Sequence, residues 1–214
     1  MKPLYIIGSG GFSKQVIEIV NKINNVHREY DLVGIIDDNL SLLGKSVLDY
    51  EVVGDTDYLQ DISQNREVNA VIAIGQGSIR EKIYNKLSKV NWVNLIHPST
   101  IISKYISIGK GNIICGGVII NPDCKIGNHC NINIGCTLGH DVILQDFSTL
   151  MPACNVSGNV VISKASTIGT GSCIIQNILV EENSIVGAGA VVIKDVDKNS
   201  VYVGVPARKV KGII

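Results

Sequence analysis

The sequence predicts an α/β fold in which a small βαβ domain is followed by a parallel β-helix. Every sixth residue from Ile102 to Val192 is Ile, Leu or Val, sixteen times without a break. A period of six fits neither an α-helix nor an alternating strand, and it is typical of β-helices built from hexapeptides. Residues 1–97 lack this period. They alternate short apolar strand candidates with helical patterns, which is typical of βαβ units.

Residues 1–97 are predicted to form a Rossmann-like domain with a parallel sheet. Strands are expected at 4–7, 32–36, 70–74 and 92–96. Apolar residues at helical spacing predict one helix after residue 11 and a second from Ser78, where a Ser-Ile-Arg-Glu capping box directs Ile79, Ile83 and Leu87 inward. The pair His97-Pro98 marks the domain boundary, because proline cannot join a central strand.

Residues 98–214 are predicted to be the β-helix and its C-terminal tail. Three hexads should form one triangular coil with the sixth-position aliphatic residues inside, and the tail should cap the last coil. Glycines recur one and three places after these aliphatic residues. We expect them at corners, where a positive φ is useful.

Most of the six cysteines follow the same register. Cys124, Cys130, Cys136 and Cys154 each lie four places after an aliphatic repeat position, where other hexads carry Val, Ser or Ala. Cysteine packs like a small apolar residue, and no C-x-x-C pair is present. We therefore expect core packing, with no metal site and no disulfide.

Composition excludes several classes of function. The chain has 19 basic and 19 acidic residues, no basic run and few aromatic residues, so nucleic acid is not an expected partner. The apolar run at the N-terminus stops at Gly8 and is too short for a signal sequence or a membrane span. A cytoplasmic protein without membrane contact is expected.

A set of motifs along the whole chain carries a family resemblance. They are Gly8-Ser9-Gly10-Gly11, Asp37-Asp38, Ala73-Ile74-Gly75 with Arg80, Asn133, His140-Asp141 and Gly204-Val205-Pro206-Ala207-Arg208. With them the chain resembles the sugar acetyltransferases of the left-handed β-helix superfamily, in the group of bacterial UDP-4-amino-sugar N-acetyltransferases and sialic acid O-acetyltransferases. The resemblance implies a left-handed parallel β-helix, acetyl-CoA as co-substrate, no metal, and a homotrimer with the cofactor in a groove between prisms.

His140 and Asp141 are the predicted catalytic pair. They lie two and three places after Leu138, so the register puts them on a corner and outside the core. A histidine can take the proton of an attacking amine or hydroxyl at neutral pH, and a neighbouring carboxylate can hold its tautomer. The resemblance makes the matching histidine the general base. The alternative is a solvated corner histidine, which is what we expect of His129.

The resemblance also predicts the cofactor contacts. They are Thr149, Gly158, Gly204, Pro206 and Arg208. The family usually has a second histidine where Thr149 stands, and threonine can form a hydrogen bond there but cannot act as a base. Gly158 would donate its N–H to the thioester carbonyl, and Arg208 or Lys209 would meet a coenzyme A phosphate. A turn glycine and a solvated tail are the alternatives.

The predicted acceptor site lies in the N-terminal domain. Its residues are Gly8, Gly10, Gly11, Asp37, Asp38, Gly75 and Arg80, with Asn133 from the β-helix. A glycine turn before a helix suits phosphate, whereas the segment has too few strands for a full NAD-binding fold. The resemblance implies that the glycines face a diphosphate, that the two aspartates meet uracil or ribose unless they only form a turn, and that Gly75 and Arg80 line the same cleft.

These observations predict an acetyl-CoA-dependent N-acetyltransferase. Its acceptor would be a nucleotide-linked, UDP-type 4-amino-4,6-dideoxy sugar for a bacterial surface glycan. A sialic acid O-acetyltransferase is the first alternative, because the same base serves an alcohol. A non-catalytic partner protein is the second, because the second histidine is missing.

Overall fold

A computed structural model describes residues 1–213, and its N-terminal part is an α/β domain. The strands are β1 (Lys2–Ile7), β2 (Tyr30–Ile36), β3 (Ser46–Val47), β4 (Tyr50–Gly54), β5 (Asn69–Ile72) and β6 (Asn91–Trp92). The helices are α1 (Gly11–Val26), α2 (Thr56–Ser63) and α3 (Gly77–Lys86), with a 3-10 turn at Leu40–Leu42. The sheet order is β3-β4-β2-β1-β5-β6, and only the β3–β4 pair is antiparallel. Over residues 1–213, no helix combines the length and the apolar character that crossing a membrane requires.

Two local predictions for this domain are wrong. The strand expected at 92–96 is divided, because β6 ends at Trp92 while Leu95–Ile96 pairs with Ile113–Ile114 of the β-helix. The first β-helix strand thus comes before residue 97. The capping box is also absent: Gln76 is the N-cap of α3 and makes no side-chain cap, and Ile79 is 38% exposed instead of buried.

The second part is a triangular prism of two-residue strands. In chain order they are β7 (Leu95–Ile96), β8 (Ile101–Ile102), β9 (Ser107–Ile108), β10 (Ile113–Ile114), β11 (Ile119–Ile120), β12 (Lys125–Ile126), β13 (Asn131–Ile132), β14 (Thr137–Leu138), β15 (Ile143–Leu144), β16 (Thr149–Leu150), β17 (Asn155–Val156), β18 (Val161–Ile162), β19 (Thr167–Ile168), β20 (Cys173–Ile174), β21 (Leu179–Val180), β22 (Ile185–Val186) and β23 (Val191–Val192). Every third strand joins the same sheet, so face 1 begins with β7, face 2 with β8 and face 3 with β9.

The six-residue register predicted the prism core. Leu138 pairs with Val156, 18 residues later, so three hexads form one coil as expected. The repeat residues from Ile114 to Val192 are at most 4% exposed and form one continuous core. Burial of each such aliphatic side chain stabilises the fold by roughly 1.5–3 kcal/mol.

The cysteines and serines four places after the repeat residues have a second role besides packing. From Cys124 to Ser172, each donates to a corner carbonyl 15 residues later; examples are Cys124 Sγ to Gly139 O at 3.0 Å and Ser172 Oγ to Gly187 O at 2.9 Å. An unpaired carbonyl inside a dry core is costly, so a small side chain with a donor is favoured at this position. The predicted core packing of Cys124, Cys130, Cys136 and Cys154 is confirmed.

The recurring glycines meet two different requirements. Those three places after a repeat residue have φ of 66–71° as expected; they are Gly111, Gly117, Gly135, Gly171 and Gly189. Those one place after it do not have positive φ, and close packing of coils excludes a side chain there instead. A Cβ on Gly139 would lie 2.6 Å from the Gly158 nitrogen in the next coil.

The C-terminal segment closes the upper end of the prism, as predicted. Strand β24 (Ser200–Val203) extends face 1 beyond β22, and β25 (Arg208–Gly212) returns antiparallel to β24. Between them Ala207 packs against the prism core, and its N–H donates to the Val191 carbonyl at 2.8 Å. The end of the predicted tail, residue 214, lies outside the described residues.

Candidate active site

His140 and Asp141 occupy the corner between faces 2 and 3, just after β14. The imidazole Nδ1 and Asp141 Oδ2 are 2.8 Å apart, and the two side chains are 64% and 50% exposed. Asp141 has φ of 59°, so the left-handed turn of the corner falls on it. Because a carboxylate only accepts, the neutral ring carries its hydrogen on Nδ1 and leaves Nε2 as an acceptor. This arrangement suits a general base.

Gly158 packs against the ring of His140 from the next coil. A Cβ at Gly158 would lie 2.6 Å from the imidazole Cε1 and 2.7 Å from Nε2, so only glycine lets the ring approach this closely. Among residues 1–213, no acceptor takes the Gly158 N–H. A base and a free backbone donor are therefore adjacent on one corner, which is what acyl transfer requires.

A cleft of about 320 Å³ lies at the carboxyl ends of β1, β2 and β5. It brings together Gly8, Asp37 and Asp38, three residues that were predicted to bind the acceptor. The remaining lining is mostly aliphatic, with one basic group; it consists of Ile7, Ile36, Ile74, Ile79, Lys82 and Ile83. Ligands of parallel α/β sheets bind at this edge, and aliphatic walls suit the flat faces of a nucleobase.

The two aspartates of the cleft have different surroundings. Asp37 accepts hydrogen bonds on both oxygens, from Ser9 N at 2.9 Å and from Asn39 N at 2.9 Å. Partial burial alone would raise the pKa of Asp37, but the hydrogen bonds from Ser9 and Asn39 outweigh it and keep this pKa below its usual value. Within residues 1–213, Asp38 is engaged through Oδ1 alone, by the N–H and hydroxyl of Thr56. Asp38 Oδ2 is the carboxylate oxygen left for a ligand.

The glycine turn leads into α1 next to this cleft. Gly8 has φ of 104°, which favours glycine. Gly10 is the N-cap of α1 without a side-chain cap, and neither it nor Gly11 has atoms within 4 Å of a built Cβ. The first turn of α1 contains no acidic residue, so its free N–H groups can receive an anion.

Arg80 does not line the cleft as predicted. It is fully buried between the two domains and donates only to neutral oxygens. Its partners are Ile74 O (2.8 Å), Gly75 O (2.7 Å), His129 O (2.9 Å), Ser148 O (3.1 Å), Thr149 Oγ1 (3.0 Å) and Phe147 O. Burial lowers the pKa of Arg80 to about 10, so the guanidinium stays charged at neutral pH. Arg80 joins the 74–75 loop to the prism and has no donor left for a ligand.

Two further predicted residues lie away from His140. Thr149, expected against the cofactor, is 2% exposed on face 1 and donates to Gly75 O at 2.8 Å. Like Arg80, Thr149 thus connects the 74–75 loop to the prism, and its hydrogen bond also occupies the Gly75 carbonyl. Asn133 lies at the corner between faces 1 and 2, is 8% exposed, and accepts from Ile134 N at 2.8 Å. Asn133 and His140 thus mark opposite edges of face 2 in one coil.

His129 is not the solvated corner histidine that the sequence predicts. It is 1% exposed, and its ring stacks on Phe147 at 5.4 Å and lies 4.8 Å from both the Tyr84 and the Trp92 rings. Neither ring nitrogen has a hydrogen-bond partner among residues 1–213. Burial lowers the pKa of His129 to about 4, and the positive charge of the nearby Arg80 contributes to this decrease. The register placed this corner correctly, but packing of the two domains covers it.

His129→Phe should remove part of the acid sensitivity of the fold. Between pH 6.5 and 4 the unfolded chain binds a proton at residue 129 that the folded chain excludes, so stability falls as pH falls. Phe147 occupies the same corner position one coil above with φ of 61°, so phenylalanine fits the backbone. Urea unfolding at pH 7 and pH 5 should show the stability of the variant relative to wild type rising by about 2 kcal/mol at the lower pH. If the difference in unfolding free energy between variant and wild type were the same at pH 7 and pH 5, this would contradict a buried, neutral His129.

The C-terminal residues predicted to meet the cofactor lie at the top of the prism. Gly204 has φ of 97° and, like Pro206, is exposed. Arg208 is exposed, and its Nη1 donates to Ala207 O at 2.8 Å. Lys209 pairs with Asp197 at 2.9 Å. Arg208 is therefore the more available cation of the two.

The chain is similar to known proteins in both of its parts. Residues 3–87 match the family described as PglD N-terminal domain. A UDP-N-acetylbacillosamine N-acetyltransferase of Bacillus subtilis is 34% identical over 118 residues, 53% of this chain and 51% of that protein. The chain spans 24–58% of the length of the curated relatives it matches.

Solved structures match over nearly the whole chain. PerB of Caulobacter crescentus, in complex with CoA and GDP-perosamine, has a TM-score of 0.90 and 31% identity and covers 99% of this chain and 98% of its own. The acetyltransferase domain of PglB from Neisseria gonorrhoeae, in complex with acetyl coenzyme A, has a TM-score of 0.87 and 28% identity and covers 98% of this chain and 99% of its own. The predicted order, an α/β domain followed by a left-handed parallel β-helix, is confirmed.

Proposed function

Because the chain belongs to the family of left-handed β-helix sugar acetyltransferases, we propose that it transfers acetyl from acetyl-CoA to the amine of a nucleotide-linked amino sugar. The proposed acceptor is a 4-amino-4,6-dideoxy sugar on UDP, made for a bacterial surface glycan. The observation that carries the proposal is the exposed His140–Asp141 pair against Gly158. The curated relatives are named for a UDP sugar and for a GDP sugar, which supports a nucleotide sugar as the acceptor. Both nucleotides are therefore included in the assay below.

The proposed reaction is a direct transfer without an acyl-enzyme. The sugar amine attacks the thioester carbonyl and its proton moves to Nε2 of His140, while Asp141 stabilises the imidazolium through Nδ1. The Gly158 N–H donates to the developing oxyanion. The C–S bond then breaks, and the proton held by His140 passes to the departing thiolate, which gives free CoA and the amide.

The fold supports assembly of the site from two copies of the chain. The N-terminal domain packs on face 1, through contacts such as Asn131 Nδ2 to Ile74 O at 3.0 Å. His140 lies at the corner between faces 2 and 3, opposite face 1. The cleft and the base of one chain therefore point to different sides of the prism. A homotrimer, in which one interface repeats cyclically, would bring the cleft of one copy to His140 of the next.

The cofactor is proposed to run from this corner to the C-terminal hairpin. Gly204 and Pro206 would form its upper contact, and the exposed Arg208 would pair with a coenzyme A phosphate. A thiol-release assay tests the whole proposal. Wild-type protein is incubated with acetyl-CoA and either UDP-, GDP- or dTDP-linked 4-amino sugars or free or CMP-linked sialic acid, and mass spectrometry identifies the acetylated atom.

We expect thiol release with at least one nucleotide amino sugar and acetylation of its nitrogen. Release only with free or CMP-linked sialic acid would identify an O-acetyltransferase instead. A failure to bind acetyl-CoA in calorimetry would favour the non-catalytic partner protein. The relatives named N-acetyltransferases support an amine as the acceptor.

A further inference from the structure

The nucleotide cleft contains one basic side chain that the sequence motifs did not indicate. Ile79, Lys82 and Ile83 lie at helical spacing on α3 and all line the cleft. Lys82 faces Gly8 and the two aspartates across it. Arg80, the basic residue that the motifs did indicate, points to the opposite side of the same helix and is buried in the domain joint.

The charges of the cleft require a cation for a nucleotide diphosphate. Asp37 and Asp38 already contribute negative charge, and a diphosphate adds more. The N-terminus of α1 offers about half a unit of positive charge. Lys82 is the single basic residue in the lining, so it is the side chain placed to balance the phosphates.

Lys82 is also free to do so. Within residues 1–213, no carboxylate lies within 4.0 Å of its Nζ, and it makes no hydrogen bond. Lys86, one turn further along α3, differs in both respects. It pairs with Asp57 at 2.7 Å and donates to Thr56 Oγ1 at 2.7 Å. Lys86 is thus engaged by protein side chains, whereas the ammonium group of Lys82 is available to a ligand.

We infer that Lys82 binds the diphosphate of the nucleotide sugar, opposite the glycine turn of α1. This inference rests on the proposed function and adds a specificity-determining residue to it. Lys82 selects the phosphate-bearing form of the acceptor, while Asp38 Oδ2 and the aliphatic walls contact the nucleoside. Lysine recognises phosphate as a point charge, so arginine can replace it here and a neutral residue cannot.

Calorimetric binding of UDP, GDP and the two nucleosides to the full chain tests this assignment. Lys82→Ala should weaken the nucleoside diphosphate bound by wild type roughly 10- to 100-fold, the range for a hydrogen bond to a charged group. Binding of the matching nucleoside should not change, and Lys82→Arg should restore most of the loss. Lys89→Ala, at an exposed lysine outside α3, is the matched control and should bind as wild type does.

Two results would overturn the assignment of Lys82, and only the second would also contradict the proposed function. Equal losses for nucleoside and nucleoside diphosphate, or no loss at all, would remove Lys82 from the phosphate site and leave the proposed function intact. No binding of either diphosphate by wild type would contradict the nucleotide-linked acceptor as well.

Discussion

Replacing His140 with alanine should lower turnover about 10²- to 10⁴-fold while the prism stays folded. The side chain is 64% exposed, and within residues 1–213 its one side-chain hydrogen bond is the 2.8 Å contact with Asp141, so its loss leaves no buried cavity. Without Nε2 the attacking amine has no base at the corner. Because the base acts on the transition state, kcat should fall while the KM for acetyl-CoA changes little.

His27→Ala is the matched control for this substitution. His27 is exposed at the end of α1 and belongs neither to the His140 corner nor to the acceptor cleft, so its loss should leave turnover at the wild-type level. Initial rates of thiol release for wild type and both variants decide the matter. Full activity of the His140 variant would contradict its assignment as the general base.

Gly158→Ala should lower turnover by roughly 10², because small displacements of a catalytic group have effects of this size. The new Cβ would lie 2.6–2.7 Å from Cε1 and Nε2 of His140, closer than atoms can pack. The exposed ring can move away at low cost to stability. The base would then be displaced from the thioester while the fold remains.

The control for Gly158 is a glycine of the prism that has room for a side chain. Gly171 has φ of 68° and no atom within 4 Å of a built Cβ, and Asn177 and Asn183 adopt the same corner conformation. Gly171→Asn should therefore keep both activity and thermal stability. Wild-type kcat in Gly158→Ala, with the melting temperature unchanged, would show that ring placement against Gly158 is unimportant.

The register of the prism could be read from the sequence because each hexad repeats the same local environment. Every repeat residue from Ile114 to Val186 is buried, and positive φ occurs three places after each of them. The elements missed were short or weakly patterned. Strands β3 and β4 and helix α2 lie in a stretch with few aliphatic residues at regular spacing, and Asp55, which caps α2, resembles an ordinary turn residue.

The exposed corner position of the proposed catalytic pair could be predicted from the same register, and its catalytic role from the family resemblance, whereas the contact between the two domains could not be predicted. His140 and Asp141 follow Leu138 at a corner where their side chains stay 64% and 50% exposed. His129 lies at a comparable corner and Thr149 lies on face 1, but the N-terminal domain packs over both, and that contact depends on the tertiary fold. Arg80 and Lys82 differ by two places on α3 and therefore lie on different faces of this helix. Arg80 is buried against the β-helix, whereas Lys82 lines the cleft, and the sequence alone does not show which face packs on the prism.

The division of the site between two copies is tested most directly by mixing two inactive variants. His140→Ala lacks the base, and Ile79→Trp fills the 320 Å³ cleft with a side chain at a partly exposed position. After joint refolding at equal amounts, random trimers would regain about a quarter of the wild-type thiol release with a nucleotide amino sugar, because one interface in each mixed trimer pairs an intact His140 with an intact cleft. No activity above that of the separate variants would contradict a base and an acceptor site contributed by different copies.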